Sequence, residues 1–252
     1  MTAIPWGMAS SSAEPGGRAA PDPGWTEIAG PIGPLYVAWS ADGLTDVEAA
    51  GDPADFELLL SERGRAVHRV RDVPGAWAAV VRRAARGERA VDLPLDLRGR
   101  SAFEAACQRV ALTIPRGEVR PYAWVARGAG RPRAVRAAGA AMAATTVGPL
   151  VPCHRVGRSD GRVGGFGSGG DVEKRALLRA EGVDPDALDA LAGRGIRYLG
   201  APAAMTFHYP TCGRLRDLPD GDRTPLRSGE AAVDAGFRPC PTCRPTVTSP
   251  FA

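Results

Sequence analysis

Cys153 and His154 stand side by side in the run VGPLVPCHRV, residues 147–156, and bring a nucleophile and a base together. A free cysteine is only a few per cent thiolate at neutral pH, so it needs help to attack anything. A histidine that takes its proton, directly or through one water, supplies that help, and an acid that orients the histidine completes it. Successive side chains of a regular strand point to opposite faces. The pair can therefore cooperate only on a bend or at a helix start, and Pro152, which biases Val151 towards extended geometry, predicts a strand running into such a bend. Downstream, residues 161–170 hold six glycines around Phe166 and Ser168, the composition of a flexible loop able to close over a flat ring.

A second constellation lies further on. His208-x-x-x-Cys212 and Cys240-x-x-Cys243 are two half-sites that together make a Cys3His set, the donor chemistry of structural Zn2+. The segment 196–252 has few apolar residues, so a structural metal also explains how it could fold. The five cysteines are an odd number with three crowded into this segment, which argues against a secreted disulfide framework and for reduced thiols or metal ligands in the cytoplasm.

The elements that must position these groups are partly legible. Residues 34–40 predict a strand, 41–44 a turn and 44–49 the returning strand. Helices are expected over about 55–64 and 75–86, giving an α/β or α+β lobe over 25–97 in which His68 is a surface residue. Phe103, Ala106, Cys107, Val110, Ala111 and Ile114 fall on one helical stripe, so Cys107 is expected to be a small buried hydrophobe. Short helices over about 121–127 and 132–144 around the turn Gly128-Ala129-Gly130 suggest a helix-turn-helix. A further helix over 172–181 turns Ala176, Leu177 and Ala180 inwards and ends at Gly182, a natural C-cap.

Charge points the same way, more by distribution than by total. The pI is near 9.0. Seven arginines (109, 116, 120, 127, 131, 133 and 136) face the single acid Glu118 within one folded stretch, a basic block suited to a polyanion. Nearly all the positive charge is arginine. No apolar run reaches the length of about 18 residues that a membrane helix needs. Residues 1–24, rich in Ala, Ser, Pro and Gly, are expected to be a disordered leader rather than a signal peptide.

The stretches IPRGEVRPYAWVA, PRAVRAAGAAM, PCHRV, the Gly-rich loop and LLRAEG resemble the O6-alkylguanine-DNA alkyltransferases (methylated-DNA–protein-cysteine methyltransferases) over about residues 33–183. The resemblance implies a ribonuclease-H-like lobe over 25–97 and an alkyltransferase domain with a helix-turn-helix, winged-helix-like, over 98–195. It also implies irreversible, once-only transfer of an alkyl group from O6-alkylguanine, and from O4-alkylthymine, in double-stranded DNA by a monomer needing no organic cofactor. In that family's terms Cys153 is the acceptor, His154 its base through a water, and Glu181 the acid that orients it. Tyr122 crowds the phosphate beside the lesion and donates to guanine N3, and Arg136 fills the stack left by the flipped nucleotide. The carbonyl of Val156 accepts from the guanine amine, Ser168 donates to O6, and Arg155 joins the DNA-contacting set. Thr145 stands where the family has an asparagine that bridges recognition helix and active-site strand, Phe166 is the lid aromatic, and the lid is one residue longer.

FHYPTC and AAVDAGFRPCPTCRP resemble the metal-binding domain of the adaptive-response protein Ada, over about 204–245. The resemblance implies a zinc module over 196–252 held by His208, Cys212, Cys240 and Cys243. Because His208 occupies the position of Ada's methyl-accepting cysteine, this module is expected to have no transfer activity. Two other classes fit parts of the pattern. A sensor of alkylated DNA would use the basic helix pair and the zinc module without becoming alkylated, and a cysteine hydrolase would use Cys153 and His154 without any basic helix pair.

Overall fold

The structure is a computed structural model that describes residues 20–165 and 170–247; the expected leader, up to residue 19, and the loop residues Phe166 and Ser168 lie outside them. Alternating apolar residues build the first sheet from β1 (Gly24–Ala29), β2 (Pro34–Ser40), β3 (Gly43–Ala49) and the short β4 (His68–Arg69), in the order β3-β2-β1-β4. The first three are antiparallel and β4 runs parallel to β1. One face carries Trp25, Tyr36 and Phe56 packed edge to face, with Trp25 centred 5.1 and 5.4 Å from the other two rings. Phe56 belongs to α1 (Pro53–Glu62), whose first turn is capped by Asp52. The other face, with Val37, Trp39 and Val47, meets α2 (Ala78–Ala85) in the main core. Neither face carries a group aimed at chemistry, and His68 is exposed.

α3 (Ala102–Ala111) starts at a capping box in which Ser101 and Glu104 satisfy each other's backbone amides. Cys107 on its inner stripe is fully buried. α4 (Tyr122–Gly128) and α5 (Val135–Ala143) pack on α3 and on each other, with Gly130 at φ +81° in the turn between them. α5 begins three residues later than the sequence suggests. Before α4, β5 (Arg120–Pro121) pairs in parallel with β6 (Val156–Gly157), tying the entry of the helix pair to the exit of the PCHR segment. α6 (Gly170–Ala180) and α7 (Pro185–Gly193) follow, α6 ending at Gly182 with φ +84°. The buried face of α6 differs from the expected one. It is Lys174, Leu177 and Leu178, whereas Ala180 is exposed.

The last segment forms a second sheet, β7 (Tyr198–Ala201), β8 (Thr206–His208), β9 (Thr224–Leu226) and β10 (Arg238–Pro239), in the order β10-β8-β7-β9, with α8 (Gly229–Asp234) before β10. It is less poor in core than its composition suggests. Tyr198, Leu199, Phe207, Tyr209, Leu215, Leu226 and Phe237 are buried and continuous with the core of the preceding helices. The architecture is mixed α/β. Among the described residues no helix is long and apolar enough to cross a membrane.

Candidate active site and metal cluster

The bend at PCHR is a single 3-10 turn, Cys153–Arg155, entered from Pro152 and leading into β6. The turn is buried on every side, with Cys153 6% exposed and His154 2%. Its neighbour Gly148 has no room for a side chain, since a Cβ there would sit 3.1 Å from the Cys153 sulfur. Burial pushes the Cys153 thiol up to about 11, against the pull of the Lys174 charge and of the backbone amides of the turn. The thiol is therefore protonated at rest and needs a base.

His154 is placed to be that base. Its Nε2 lies 3.0 Å from Oε1 of Glu181. Burial lowers the histidine below its ordinary value, with Glu181 pulling the other way. Burial of Glu181 opposes its charge, but hydrogen bonds from His154 and Arg155 prevail and hold its carboxyl at about 2. An ionised carboxylate only accepts, so Nε2 carries the hydrogen and Nδ1 the lone pair. That Nδ1 is buried and has no hydrogen-bond partner among the described residues.

Arg155 requires a correction. Its side chain is 3% exposed, and it donates to both oxygens of Glu181, to the carbonyl of Ile114 at 2.7 Å and to that of Gly87 at 2.6 Å. A guanidinium spent in this way cannot reach a DNA strand; it buttresses the acid. Val156 offers its carbonyl next to the turn, where it accepts from Nζ of Lys174 at 2.7 Å. Lys174, fully buried, also donates to the carbonyl of Gly165, and burial lowers its ammonium to about 8. Sequence reasoning passed over it. The available signal was that it is the chain's only lysine, three and four residues before Leu177 and Leu178.

Tyr122 is the first residue of α4, half-buried, and its hydroxyl is raised by burial and by the nearby Cys153. Arg136 is exposed in the first turn of α5. Within the basic block, Arg109, Arg116, Arg131 and Arg133 are also exposed, but Arg120 is buried and ion-paired with Glu118, and Arg127 donates to the carbonyl of Arg244. Among the described residues Thr145 makes no such bridge: its hydroxyl donates back to Ala141 in α5, while Thr146 donates to the carbonyl of Thr45 at 2.7 Å.

The second constellation converges. One ligand atom each from His208, Cys212, Cys240 and Cys243 lie within 4.8 Å of one another, and all four residues are buried. Nδ1 of His208 is 3.4 Å from the Cys212 sulfur, and Nε2 is held by the Thr206 hydroxyl at 2.9 Å, which fixes the ring with Nδ1 inwards. Hydrogen bonds from Cys243 lower the thiols of Cys212 and Cys240, to about 6 and about 4. The donor set can hold a metal ion.

Residues 102–183 match the family model described as 6-O-methylguanine DNA methyltransferase, DNA binding domain. The methylated-DNA–protein-cysteine methyltransferase of Mycobacterium tuberculosis is 37% identical over 158 residues, which cover 61% of this chain and 89% of that protein. The chain belongs to this family. The bifunctional transcriptional activator/DNA repair enzyme Ada of Escherichia coli is 44% identical over 89 residues, 35% of this chain, and the match spans a quarter (25%) of Ada's length. Among solved structures, M. tuberculosis OGT in complex with DNA superposes with a TM-score of 0.47 at 32% identity, over 65% of this chain and 97% of that one. The PCHR turn, the acid that follows α6 and both helices of the α4–α5 pair all lie inside the methyltransferase match.

Proposed function

We propose that this methyltransferase-family chain repairs DNA by direct reversal, moving the alkyl group of O6-alkylguanine, and of O4-alkylthymine, onto the sulfur of Cys153. The observation that carries the reading is the Glu181–His154 hydrogen bond, which leaves a buried, unpartnered lone pair on Nδ1 of the residue that follows Cys153. His154 takes the thiol proton through one water. The sulfur attacks the alkyl carbon in line, a C–S bond forms, the C–O bond breaks, and its electron pair stays on guanine, which takes up a proton. A thioether is not cleaved by water or by any base in the site, so each chain acts once.

Lys174 supports the thiolate by its charge. The carbonyl of Val156, already fixed by Lys174, has a second lone pair for the guanine amine. The carbon to be attacked is hidden in a duplex, so the nucleotide has to be extruded at a cost of a few kcal/mol. Exposed Arg136 fills the gap, and Tyr122, at the start of α4, meets the flanking phosphate and donates to guanine N3. Ser168 is assigned to O6 from its loop.

The first sheet, with β4 parallel to β1, supports a ribonuclease-H-like lobe over 25–97; the alkyltransferase domain spans 98–195 and a zinc module 196–252. The Cys3His set and its spacing suit Zn2+, which when bound would cross-link β8 to the turn after β10. With an imidazole in place of a fourth thiolate, the module has no transfer activity of its own. Five free cysteines fit a reducing cytoplasm. The test is stoichiometry: duplex DNA carrying a radiolabelled O6-methyl group should transfer at most one label per chain, with unlabelled product DNA failing to release it. Turnover beyond one label, or no label at all, would refute the reading.

A further inference from the structure

The metal ligands and their flanking residues grip the segment that delivers Tyr122. Trp124, 5% exposed on α4, donates its indole Nε1–H to the carbonyl of Cys243 at 3.0 Å. Thr211, the residue before Cys212, accepts from the amide of Val119 at 2.7 Å. Gly213, the residue after it, donates to Glu118 at 2.9 Å. Tyr209, next to His208, lies under the guanidinium of Arg120 at 5.5 Å, and Arg127 donates to the carbonyl of Arg244, next to Cys243. Three of the four ligands thus have themselves or a neighbour fastened to residues 118–127. That segment is the one whose β5 pairs with β6, two residues after His154.

The gripping loops join short strands and pack into the main core through Tyr209, Cys212, Cys240 and Cys243. The strands around them are two to four residues long, and Arg244 closes the turn after Cys243 at φ +50°, a conformation that costs a non-glycine residue energy and persists only where its surroundings enforce it. A metal ion joining His208 and Cys212 to Cys240 and Cys243 would add to the enforcement from the hydrogen bonds of Arg244 to Cys240 and Pro241.

We propose that the metal module is a splint for the DNA-contacting helix: metal bound at the four ligands holds residues 118–127 in place, and Trp124 is the positioning residue that transmits it. The proposal rests on the alkyltransferase reading for what α4 contacts. It makes repair at Cys153 depend on a metal that takes no part in the chemistry.

The experiment compares the full chain loaded with one equivalent of Zn2+, the same chain stripped by chelator, and Trp124→Phe in the zinc-loaded state. Phenylalanine keeps an aromatic ring in the site, though a smaller one, and removes the donor to Cys243. Amide hydrogen exchange is read over 119–128, with 34–49 as internal reference, together with affinity for an O6-methylguanine duplex and bound metal. Stripping should speed exchange at 119–128 and weaken binding at least tenfold. Trp124→Phe should keep its zinc, speed exchange over 122–128 and weaken binding about fivefold, the scale of one buried hydrogen bond. If stripping also frees 34–49, the chain has unfolded and the Trp124→Phe arm alone decides. Unchanged exchange and affinity in Trp124→Phe, or a lower melting temperature with unaltered affinity, would overturn the splint. Methyl transfer by the zinc-loaded chain is measured in parallel; its absence counts against the alkyltransferase reading, while the exchange arm still reports on the splint.

Discussion

Oε1 of Glu181 is shared between His154 and Arg155, at 3.0 Å from Nε2 of the first and 2.6 Å from Nη2 of the second. One buried carboxylate thus holds the imidazole of His154 and neutralises the guanidinium beside it. Glu181→Gln should damage both functions. Loss of the counter-charge leaves Arg155 buried and unpaired, at a cost of about 3 kcal/mol or more, readable by urea unfolding. The single-turnover rate should fall about a hundredfold. A variant as stable and fast as the parent would show that the carboxylate is idle.

The same pair fixes the direction of the pH dependence. Glu181 is held at about 2 against an ordinary 4.5. Its contribution, on the order of 3 kcal/mol for this shift, is complete above pH about 4.5 and disappears as pH falls towards 2. His154 is lowered below 6.5, so the unfolded chain binds its proton first and stability already begins to decline below that pH. If the neutral imidazole is the base, as proposed, the acid limb of the transfer rate should have its midpoint below 6.5. A midpoint above 6.5 would mean that Glu181 outweighs burial at His154, and a rate that falls as pH rises through this range would mean that His154 works as a cation.

Lys174→Met should slow transfer about tenfold or more by removing a cation placed to favour the Cys153 thiolate and by leaving the Val156 and Gly165 carbonyls without their buried donor. Lys174→Arg should not rescue it, since a planar fork does not fit a fully enclosed ammonium site. The readout is single-turnover rate against lesion affinity. Full activity in Lys174→Arg would put the requirement on charge alone.

Gly148→Ala would bring a methyl group to 3.1 Å from the reacting sulfur. The sulfur has to move by a few tenths of an ångström, and in-line attack is sensitive to that. Transfer should slow about tenfold while duplex binding is retained; loss of binding with an unchanged rate constant would place Gly148 elsewhere in the mechanism.

Arg136→Ala should separate extrusion from chemistry. Transfer from duplex DNA should fall at least about tenfold, because nothing then offsets unstacking. Transfer from free O6-benzylguanine should be unchanged, and an equal loss on both substrates would contradict the role.

Which of these residues could be found without coordinates follows from what their neighbours contribute. The strands at 34–40 and 43–49 declare themselves by short runs of strand-forming residues bounded by turn signals, although both of their faces are buried, and the helix at 102–111 by its apolar stripe. The PCHRV motif and the two half-sites for metal are local, so spacing alone exposes them. Lys174 and Arg155 do not show in this way: each is a charge buried against distant groups, and a charged residue on a helix or turn normally marks the wet side. The grip of the last sheet on Glu118, Trp124 and Arg127 depends on pairs about 90 to 120 residues apart, which no periodicity encodes.

The decisive measurement is the intact mass of the chain after incubation with a duplex containing one O6-methylguanine, followed by peptide mapping, with Cys153→Ala alongside. A gain of about 14 Da, the replacement of S–H by S–CH3, confined to the peptide holding Cys153 and absent from the variant, is the expected result. An unchanged mass despite tight lesion binding, or a methyl group on the peptides of Cys212, Cys240 or Cys243, would contradict transfer to Cys153.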